Sequence, residues 1–394
     1  MQPGVHAALS RQRSWVQIPS PPWARSSTGL EHPSCTREVV GSSPTGSKIL
    51  KNLSRDLSHW LKFFGNIFDM KVLVTGATGF VGHHLVKRLK KEGYELRILK
   101  EKKQSLGFLK NLELEIIEGD IRNFEDVKKA VKGCDVVFHL AGIVSYWGKL
   151  QKLQYEVNVL GTKNIVKACL EYKIKRLVHV SSTAAVGYEK NKLANEETSF
   201  NLFPLRVNYC NTKFLGEVEV LRGVAQGLDA VIVCPGSIYG EGDLRRIKSD
   251  MIFNFKFPFS LFYIKGGVGV VDIKDVVEGL LKAWKKGKKG ERYILVGENL
   301  SFYEIRKMIA KALGKKPPKI CLSGFFLYFL SYLFLLFSFI SGKKPRLTPE
   351  MVRFHKLYLY FSNEKAKKEL GIKFTPFEET IKRAVEWYKN HGFL

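Results

Sequence analysis

Residues 71–82 read KVLVTGATGFVG, and this stretch decides the fold. The run KVLVT (71–75) is short, apolar and β-branched, which predicts a buried strand. Three glycines follow at three-residue spacing: Gly76, Gly79 and Gly82. The apolar-periodic stretch 83–89 then predicts a helix. A strand, a glycine turn and a helix in this order place a pyrophosphate at the helix N-terminus. Alone, the pattern is a weak signal, because glycine turns join many strands to helices.

The bulk composition bounds the class of protein. The chain has 394 residues, 45% of them apolar, which suits one large or two ordinary globular domains. Its net charge of +27 indicates either a lysine-rich solvated surface or attraction to an anionic membrane or to phosphates. The basic residues are scattered, without zinc-finger spacing or a known reader module, so we expect no nucleic-acid partner. The six cysteines form no CxxC pair, which indicates a reduced, cytoplasmic compartment and no metal site.

Residues 1–69 differ from the rest of the chain. They are rich in Ser, Pro, Arg and Trp and show no sustained period. The segments 10–23 and 37–47 resemble a conceptual translation of non-coding sequence, such as a structural-RNA gene. We therefore expect the true start at Met70, and the alternative is a disordered targeting arm. In both cases we expect no defined function for 1–69.

From Met70 onward, strand and helix patterns alternate. The strand candidates are 71–75, 95–99, 114–117, 135–140, 176–181 and 229–234, and the helical stretches are 80–92, 124–132, 154–172 and 209–227. This alternation predicts an α/β fold, a Rossmann-type doubly wound parallel sheet with helices on both faces. We expect a nucleotide-binding domain over 70–240. A smaller C-terminal lobe that binds the substrate is expected over 241–394.

The segment 320–341, ICLSGFFLYFLSYLFLLFSFIS, contains no charged residue and is as long as a membrane span. Basic residues flank it on both sides: Lys315, Lys316, Lys319, Lys343, Lys344 and Arg346. The following tail, 361–388, has the pattern of a soluble fold, and both features disfavour a simple crossing. We favour a helix or helical hairpin embedded in the near leaflet, at the inner face of the membrane. A single crossing, a buried core helix and a dimer surface are the alternatives.

Further motifs follow in a fixed order along the chain. They are TGATGFVG (75–82), GDIRN (119–123), HLAG (139–142), VNVLGTKN (157–164), VSSTAAVG (180–187), YCNTK (209–213), CPGSIYG (234–240), VVDIKDVVEGL (270–280) and GERYILVGENLS (290–301). With these motifs the chain resembles the extended short-chain dehydrogenases/reductases. This family includes NAD(P)-dependent epimerases and dehydratases, dihydroflavonol reductases and 3β-hydroxysteroid dehydrogenases.

The resemblance implies an NAD(P) site made by several separate segments. The implied cofactor-binding residues are Gly76, Thr78, Gly79, Phe80, Val81, Gly82, Lys100, Asp120, Ile121, Leu140, Ala141, Gly142, Tyr209, Lys213 and Pro235. Among them, Asp120 is implied to contact the adenine and Pro235 to bound the nicotinamide pocket. Asn158 is implied to be a structural support. A homodimer is implied by the resemblance alone.

The YxxxK spacing of the family occurs three times in this chain, at Tyr188/Lys192, Tyr209/Lys213 and Tyr303/Lys307. The two side chains must lie on one helix face near the substrate end of the sheet, as residues i and i+4 do on a helix. The first pair falls in a polar loop, and the third lies far along the chain. The pair Tyr209/Lys213 opens a long helical pattern between two core strands, so we predict that it is the catalytic pair.

The chemistry of ketone reduction assigns a role to each candidate. Tyr209 is the predicted general acid/base, although a free phenol with a pKa near 10 is a weak base at neutral pH. The Lys213 cation would lower that pKa and bind the nicotinamide ribose. Thr183 would hydrogen-bond the substrate oxygen, and Ser182 is its close rival.

The choice between NAD and NADP depends on the end of the second strand. NAD enzymes usually place an acidic residue there to hold the ribose 2′-hydroxyl. In this chain Lys100, Lys102 and Lys103 crowd the position, which suits a 2′-phosphate, although Glu101 remains available for NAD. We therefore favour NADP over NAD, with a solvated lysine loop as the alternative.

Two departures from the family pattern bear on the substrate. Cys234 stands where the family usually has an arginine, which weakens a contact to a sugar-nucleotide diphosphate. The segment 254–263 is strongly aromatic and predicts an apolar substrate cleft, a second membrane contact or a packed strand. We predict an oxidoreductase that interconverts a hydroxyl and a ketone on a sterol, isoprenoid or lipid-like substrate. A nucleotide-sugar epimerase/dehydratase is the first alternative, disfavoured by Ala184 and Ala185 where dehydratases have an acidic residue. A non-catalytic NADP-binding regulator is the second.

Overall fold

A seven-stranded sheet, parallel throughout, forms the centre of the fold, in a computed structural model that describes residues 70–244, 250–253, 255 and 258–394. The expectations for residues 1–69 lie outside the described residues. In chain order the strands are β1 (Lys71–Thr75), β2 (Glu95–Lys100), β3 (Glu115–Glu118), β4 (Val136–His139), β5 (Arg176–Val180), β6 (Ala230–Pro235), β7 (Ser237–Tyr239), β8 (Phe262–Ile264), β9 (Gly267–Asp272), β10 (Arg292–Leu295), β11 (Glu298–Ser301), β12 (Ile320–Leu322) and β13 (Tyr358–Leu359). The order across the central sheet is β10-β6-β5-β4-β1-β2-β3.

The helices cover both faces of this sheet. In chain order they are α1 (Phe80–Lys91), α2 (Phe124–Val131), α3 (Gln151–Tyr155), α4 (Thr162–Glu171), α5 (Asn208–Ala225), α6 (Asp250–Phe253), α7 (Ile273–Lys286), α8 (Phe302–Ala312), α9 (Gly324–Ser341), α10 (Pro349–His355) and α11 (Phe377–Asn390). A π-helical stretch, Glu156–Gly161, joins α3 to α4. The doubly wound α/β fold that the sequence predicts is confirmed.

Alternation along the strands explains why both faces are covered. On β1, Val72 and Val74 pack with side chains of α1 and α7, whereas Leu73 packs with those of α2, α4 and α5. Successive strand residues point to opposite faces, so a continuous apolar run needs a helix layer on each side.

The C-terminal part adds a second, smaller sheet. Its central strand β9 pairs with β11, β13 and β7, while β12 pairs with β8. Helices α8 and α11 cover it with a separate core. The chain crosses between the sheets, because β7 precedes residue 240 and joins the small sheet, whereas β10 returns to the edge of the central sheet.

The strand order reverses between β1 and β4. From β1 the chain moves outward to β2 and β3, then returns to β4 on the other side of β1. Ligands of open parallel sheets bind in the crevice that this reversal opens at the carboxyl ends of the strands. The glycine turn after β1 lies at this point.

Candidate active site

The glycine turn after β1 has space only for glycine at two positions. Gly76 has a φ of +69°, and a Cβ there would lie 2.7 Å from the backbone nitrogen of Ala141. At Gly82 a Cβ would lie 2.2 Å from the Gly76 carbonyl oxygen. Gly79 caps the start of α1 in an extended conformation. The turn therefore brings bare backbone and a helix N-terminus to one place, which suits a dinucleotide pyrophosphate.

A chain of buried hydrogen bonds supports the floor of this crevice. His139, on β4, lies between two hydroxyls, with Nδ1 2.8 Å from Thr75 Oγ1 and Nε2 3.0 Å from Thr162 Oγ1. Thr162 donates to the Asn158 carbonyl at 2.8 Å, so the His139 Nε2–H is the donor to Thr162. Burial lowers the pKa of His139 to about 3, which keeps the ring neutral.

The side chain of Asn158 extends this support, as the resemblance implies. Its Oδ1 accepts from the Ile143 N–H at 2.8 Å, and its Nδ2 donates to Thr212 Oγ1 at 3.1 Å. Thr212 stands beside Lys213 on α5. Asn158 thus fastens the segment after β4 to the helix that carries the predicted catalytic pair.

Helix α5 presents Tyr209, Lys213 and Glu217 at four-residue spacing, on one face. Lys213 is buried, and its Nζ donates to the Val180 carbonyl at 2.8 Å. Burial disfavours the cation and lowers the pKa of Lys213 to about 8, against the raising effect of Glu217. Burial also raises the pKa of Tyr209 to about 12, although a hydrogen bond with the Ser182 side chain opposes that shift.

Ser182 and Thr183 hold different positions around the tyrosine. Ser182 contacts Tyr209, and its Oγ accepts from the Ala184 N–H at 3.1 Å. Thr183 begins the short 3₁₀ turn Thr183–Ala185 and lines the same cavity. The role of Thr183 as the hydroxyl that holds the substrate stays a prediction, and Ser182 is the hydroxyl that hydrogen-bonds Tyr209.

Glu217 anchors a buried charge cluster behind Lys213. Its carboxylate accepts from the Cys234 thiol at 3.3 Å and pairs with Arg292 Nη1 at 3.2 Å. Cys234 is fully buried, so position 234 does not reach the cavity. The guanidinium that meets Glu217 comes from β10, the edge strand of the central sheet.

One cavity of about 240 Å³ brings the two halves of the site together. From the nucleotide side it is lined by the predicted residues Gly76, Gly79, Phe80, Val81, Gly82, Leu140, Gly142, Thr183, Tyr209, Lys213 and Pro235. The C-terminal lobe contributes apolar side chains to the same cavity: Val268, Phe354, Leu359 and Phe361. Polar groups of the predicted catalytic residues and apolar side chains of the C-terminal lobe therefore line one space.

Five predicted cofactor residues lie outside this lining. The Thr78 hydroxyl donates to Gln104 Oε1 at 3.1 Å, and the Ala141 N–H donates to Thr75 Oγ1 at 3.3 Å. Ile121 packs against Gly161, where a Cβ would meet it at 2.6 Å. Asp120 lines a separate depression and pairs with Arg122 at 2.6 Å.

The fifth residue, Lys100, is engaged within the protein. Its Nζ pairs with Glu118 Oε1 at 2.8 Å and also donates to the carbonyls of Glu101 and Lys102. An ammonium has three donors, and these contacts use all three. Lys102 and Lys103 are exposed beside it.

The other two YxxxK pairs are not at the cavity. Lys192 pairs with Glu189 at the surface. Tyr303 and Lys307 are exposed on α8, in the C-terminal lobe. The helical-face argument therefore selects the pair that lies beside the glycine turn.

The described residues of the aromatic segment, 255 and 258–263, do not line this cavity. Phe255 is buried in the core under α8, and Phe259 is exposed. Phe257 lies outside the described residues, and neither Phe255, Phe259 nor Phe262 lines the cavity.

Three cavity residues that sequence reasoning missed form an aromatic wall. The Tyr146 ring centroid lies 6.0 Å from that of Tyr209, 6.0 Å from that of Phe354 and 5.7 Å from that of His355. Phe354 and His355 belong to α10, a short helix remote in sequence from every motif, and no sequence signal marks them.

Comparison with known proteins assigns the chain to a family. A sequence model of the NAD dependent epimerase/dehydratase family matches residues 72–296. The chain belongs to that family, among the extended short-chain dehydrogenases/reductases. The resemblance inferred from the motifs and the prediction of an NAD(P)-dependent enzyme of the extended short-chain type are both confirmed.

Similar members of this epimerase/dehydratase family include two curated proteins. A putative dihydroflavonol 4-reductase of Synechocystis sp. is 31% identical over 86% of this chain and 99% of its own length. A 3beta-hydroxysteroid-dehydrogenase/decarboxylase, isoform 1, of Arabidopsis thaliana is 30% identical over 81% of this chain and 79% of its own length. Among solved structures, the crystal structure of gox2253 is 32% identical, with a TM-score of 0.72, and covers 83% of this chain and 100% of its own.

Proposed function

We propose that this family member interconverts a hydroxyl and a ketone on an apolar, sterol-like substrate, with Tyr209, Lys213 and Thr183 as its catalytic residues. The observation that carries the proposal is the shared cavity. Tyr209, Lys213 and the glycine turn border one space that aliphatic and aromatic side chains of the C-terminal lobe also line. The similarity to a hydroxysteroid dehydrogenase supports the same substrate class.

The residues present fit a nicotinamide dinucleotide. A Cβ at Gly76 or Gly82 would collide with nearby backbone, so only glycine leaves this cradle open. The cradle lies at the N-terminus of α1, where a phosphate is favoured. When bound, the nicotinamide supplies or accepts the hydride. In the reductive direction Tyr209 gives its proton to the substrate oxygen, which becomes the hydroxyl. The Lys213 cation stabilises the phenolate that remains, and the Thr183 hydroxyl holds the oxygen in place.

The preference for NADP rests on two lysines after β2. Lys100, the predicted phosphate ligand, already has a carboxylate and two carbonyl partners. Lys102 and Lys103 are exposed and have no carboxylate partner among the described residues. We propose that these two cations meet the ribose 2′-phosphate. The kinetic preference of Lys102→Gln/Lys103→Gln for the two cofactors tests this point, and an unchanged NADP preference would contradict it.

The surface of helix α9 is the evidence for a membrane-bound enzyme. It is an apolar helix long enough to cross a membrane, and only 17% of it is buried. Its exposed side chains, here called the apolar face, are Phe325, Phe326, Phe329, Tyr332, Leu333, Leu336, Phe337, Phe339 and Ile340. Single exposed apolar residues are common on soluble proteins, but a contiguous face of this size marks an interaction surface.

The charges around the apolar face favour a lipid surface over a protein partner. Lys316, Lys319, Lys343, Lys344 and Arg346 flank α9 and are exposed. None of them pairs with a carboxylate within the described residues. Cations beside an apolar helix match anionic headgroups above an acyl layer. We propose that α9 lies in the near leaflet, at the inner face of the membrane; a homodimer stays a prediction.

The test is direct turnover by the full-length chain. A 3β-hydroxysterol, an isoprenoid alcohol and a long-chain secondary alcohol are offered in detergent micelles with NAD⁺ or NADP⁺, with UDP-glucose in parallel. We expect reduced nicotinamide to form with at least one apolar alcohol and no conversion of the sugar nucleotide. Conversion of UDP-glucose alone, or of none of the four, would overturn the proposal.

A further inference from the structure

Helix α10 lies between the apolar face and the catalytic cavity. The chain leaves α9 at Gly342 and enters α10 at Pro349. Lys356, directly after α10, places its Nζ 4.3 Å from the Tyr328 ring of α9. Gly324, at the start of α9, has no space for a Cβ, which would lie 2.6 Å from Lys356 Cε. The end of α10 is therefore packed on α9.

Helix α10 also forms part of the cavity lining. Phe354 and His355 line it, and both rings lie against Tyr146, which in turn meets Tyr209. Leu359, on the strand that follows α10, continues this wall. One short element and the residue after it thus contact both the apolar helix and, through the Tyr146 ring, Tyr209.

Polar contacts fix α10 to the start of the catalytic helix. The Asn208 N–H, one residue before Tyr209, donates to the Glu350 carboxylate of α10. Arg353 Nε donates to the Leu205 carbonyl at 2.8 Å, in the turn before α5. These bonds hold α10 in one position relative to Tyr209, so the aromatic side of the cavity is built on the same element that packs on α9.

We propose that the apolar substrate passes from the lipid leaflet into the cavity along α10, and that Phe354 and His355 are the first cavity residues it meets. The occupant of the apolar face is then an anionic bilayer that also holds the substrate. Moving apolar surface through water is unfavourable in proportion to its area, and a route that begins in lipid avoids that step. This inference rests on the proposed function, because it takes the substrate to be apolar.

The test uses photolabelling, which needs no turnover. A sterol ketone bearing a diazirine is dissolved in vesicles of phosphatidylglycerol and phosphatidylcholine and mixed with the full-length Tyr209→Phe variant. After illumination the labelled peptides are mapped. A second sample carries Phe325→Glu and Phe339→Glu as well, at positions that are 85% and 80% exposed. The matched control carries Leu193→Glu, an exposed apolar residue outside the apolar face.

We expect labels on 349–356 and on Tyr146 in the parent and in the Leu193→Glu control. In the double-glutamate variant these labels fall about tenfold or more, because the variant lacks the two phenyl groups that would otherwise insert into the bilayer and hold the protein on the vesicle. Labels confined to α9, or equal cavity labelling in the double-glutamate variant, would overturn the route.

Two further readouts separate this inference from its alternatives. If wild type fails to float with vesicles and the double-glutamate variant turns a dimer into a monomer, the apolar face binds a second copy and the inference fails. If vesicle-dependent labelling is found but wild type oxidises no apolar alcohol, the route stands and the proposed reaction fails.

Discussion

Helices α5 and α9 have the same length of 18 residues and opposite surfaces. On α5 the buried side includes Lys213 and Glu217, two charged groups. On α9 the exposed side is formed by phenylalanines and leucines together with Tyr332 and Ile340. Each helix departs from the usual distribution of polar and apolar side chains in a folded protein, α5 at its two buried charges and α9 along its exposed apolar face.

The buried charges of α5 and the exposed apolar face of α9 have different physical explanations. A buried charge is tolerated only when partners compensate for its lost hydration. On α5 these partners are the Val180 carbonyl for Lys213 and Arg292 for Glu217. An exposed apolar face is tolerated when something other than water covers it. We infer that α5 serves the proposed chemistry inside the protein and that α9 serves a contact outside it.

The largest loss of activity is expected when the buried cation on α5 is removed. Lys213→Met is expected to lower kcat/KM for ketone reduction by about 10³-fold, because the phenolate of Tyr209 loses its stabilising charge. Steady-state kinetics with a saturating reduced cofactor measures it. Lys307→Met, in the exposed YxxxK pair, is the matched control and should change nothing. Equal effects from both substitutions would contradict the assignment.

Removal of the Glu217 charge tests whether the pair of Glu217 with Arg292 stabilises the protein. Glu217→Gln leaves the half-buried Arg292 guanidinium without its buried carboxylate partner, which should lower the free energy of unfolding by about 3 kcal/mol. Urea denaturation measures this loss. The control is Glu219→Gln on the same helix, whose pair with Arg222 is at the surface and is expected to contribute less than about 1 kcal/mol. Similar losses from the two variants would show that the cluster has no special role.

The pH dependence of reduction follows from the lysine. Burial lowers the pKa of Lys213 to about 8, so the cation is present below that pH and is lost as the pH rises. The pKa of Tyr209, at about 12, is too high to cause the same change. We expect kcat/KM for reduction to be level at neutral pH and to fall by about tenfold per pH unit above the Lys213 pKa. Lys213→Arg, which does not titrate in this range, should remove the fall.

The smallest effect is expected on α9. Phe325→Ser should change the free energy of unfolding in detergent by less than about 0.5 kcal/mol, because the ring has no packing to lose inside the protein. Val220→Ala on α5, at a fully buried site, should cost about 2 kcal/mol. Equilibrium unfolding in one detergent compares the two. A loss at Phe325 as large as that at Val220 would mean that α9 packs on the protein rather than on lipid.

Much of the fold was accessible from local pattern. The strand ends predicted from β-branched runs differ from the observed ends by at most one residue from β1 to β6, since buried parallel strands must be apolar on both faces. The glycine turn and the choice of Tyr209/Lys213 followed from backbone geometry and helix spacing, which act over a few residues. The cavity bears out the proximity of these two elements.

What the sequence did not predict depends on contacts between distant segments. Glu350 meets Asn208 across 142 residues, and no local pattern indicates that α10 lines the cavity. Arg292 reaches Glu217 from a strand far along the chain. Lys100 looked available for a phosphate because its partner, Glu118, lies on a neighbouring strand. Such pairs are set by topology, which periodicity does not encode.

We infer that the Tyr209 hydroxyl moves the proton during hydride transfer in the cavity beside the glycine turn. Removing that one oxygen, with Tyr209→Phe, tests it most directly when cofactor affinity and turnover are measured on the same sample. We predict that the variant binds the nicotinamide cofactor as tightly as wild type and loses turnover of the apolar alcohol. Turnover retained with a bound cofactor would contradict the account.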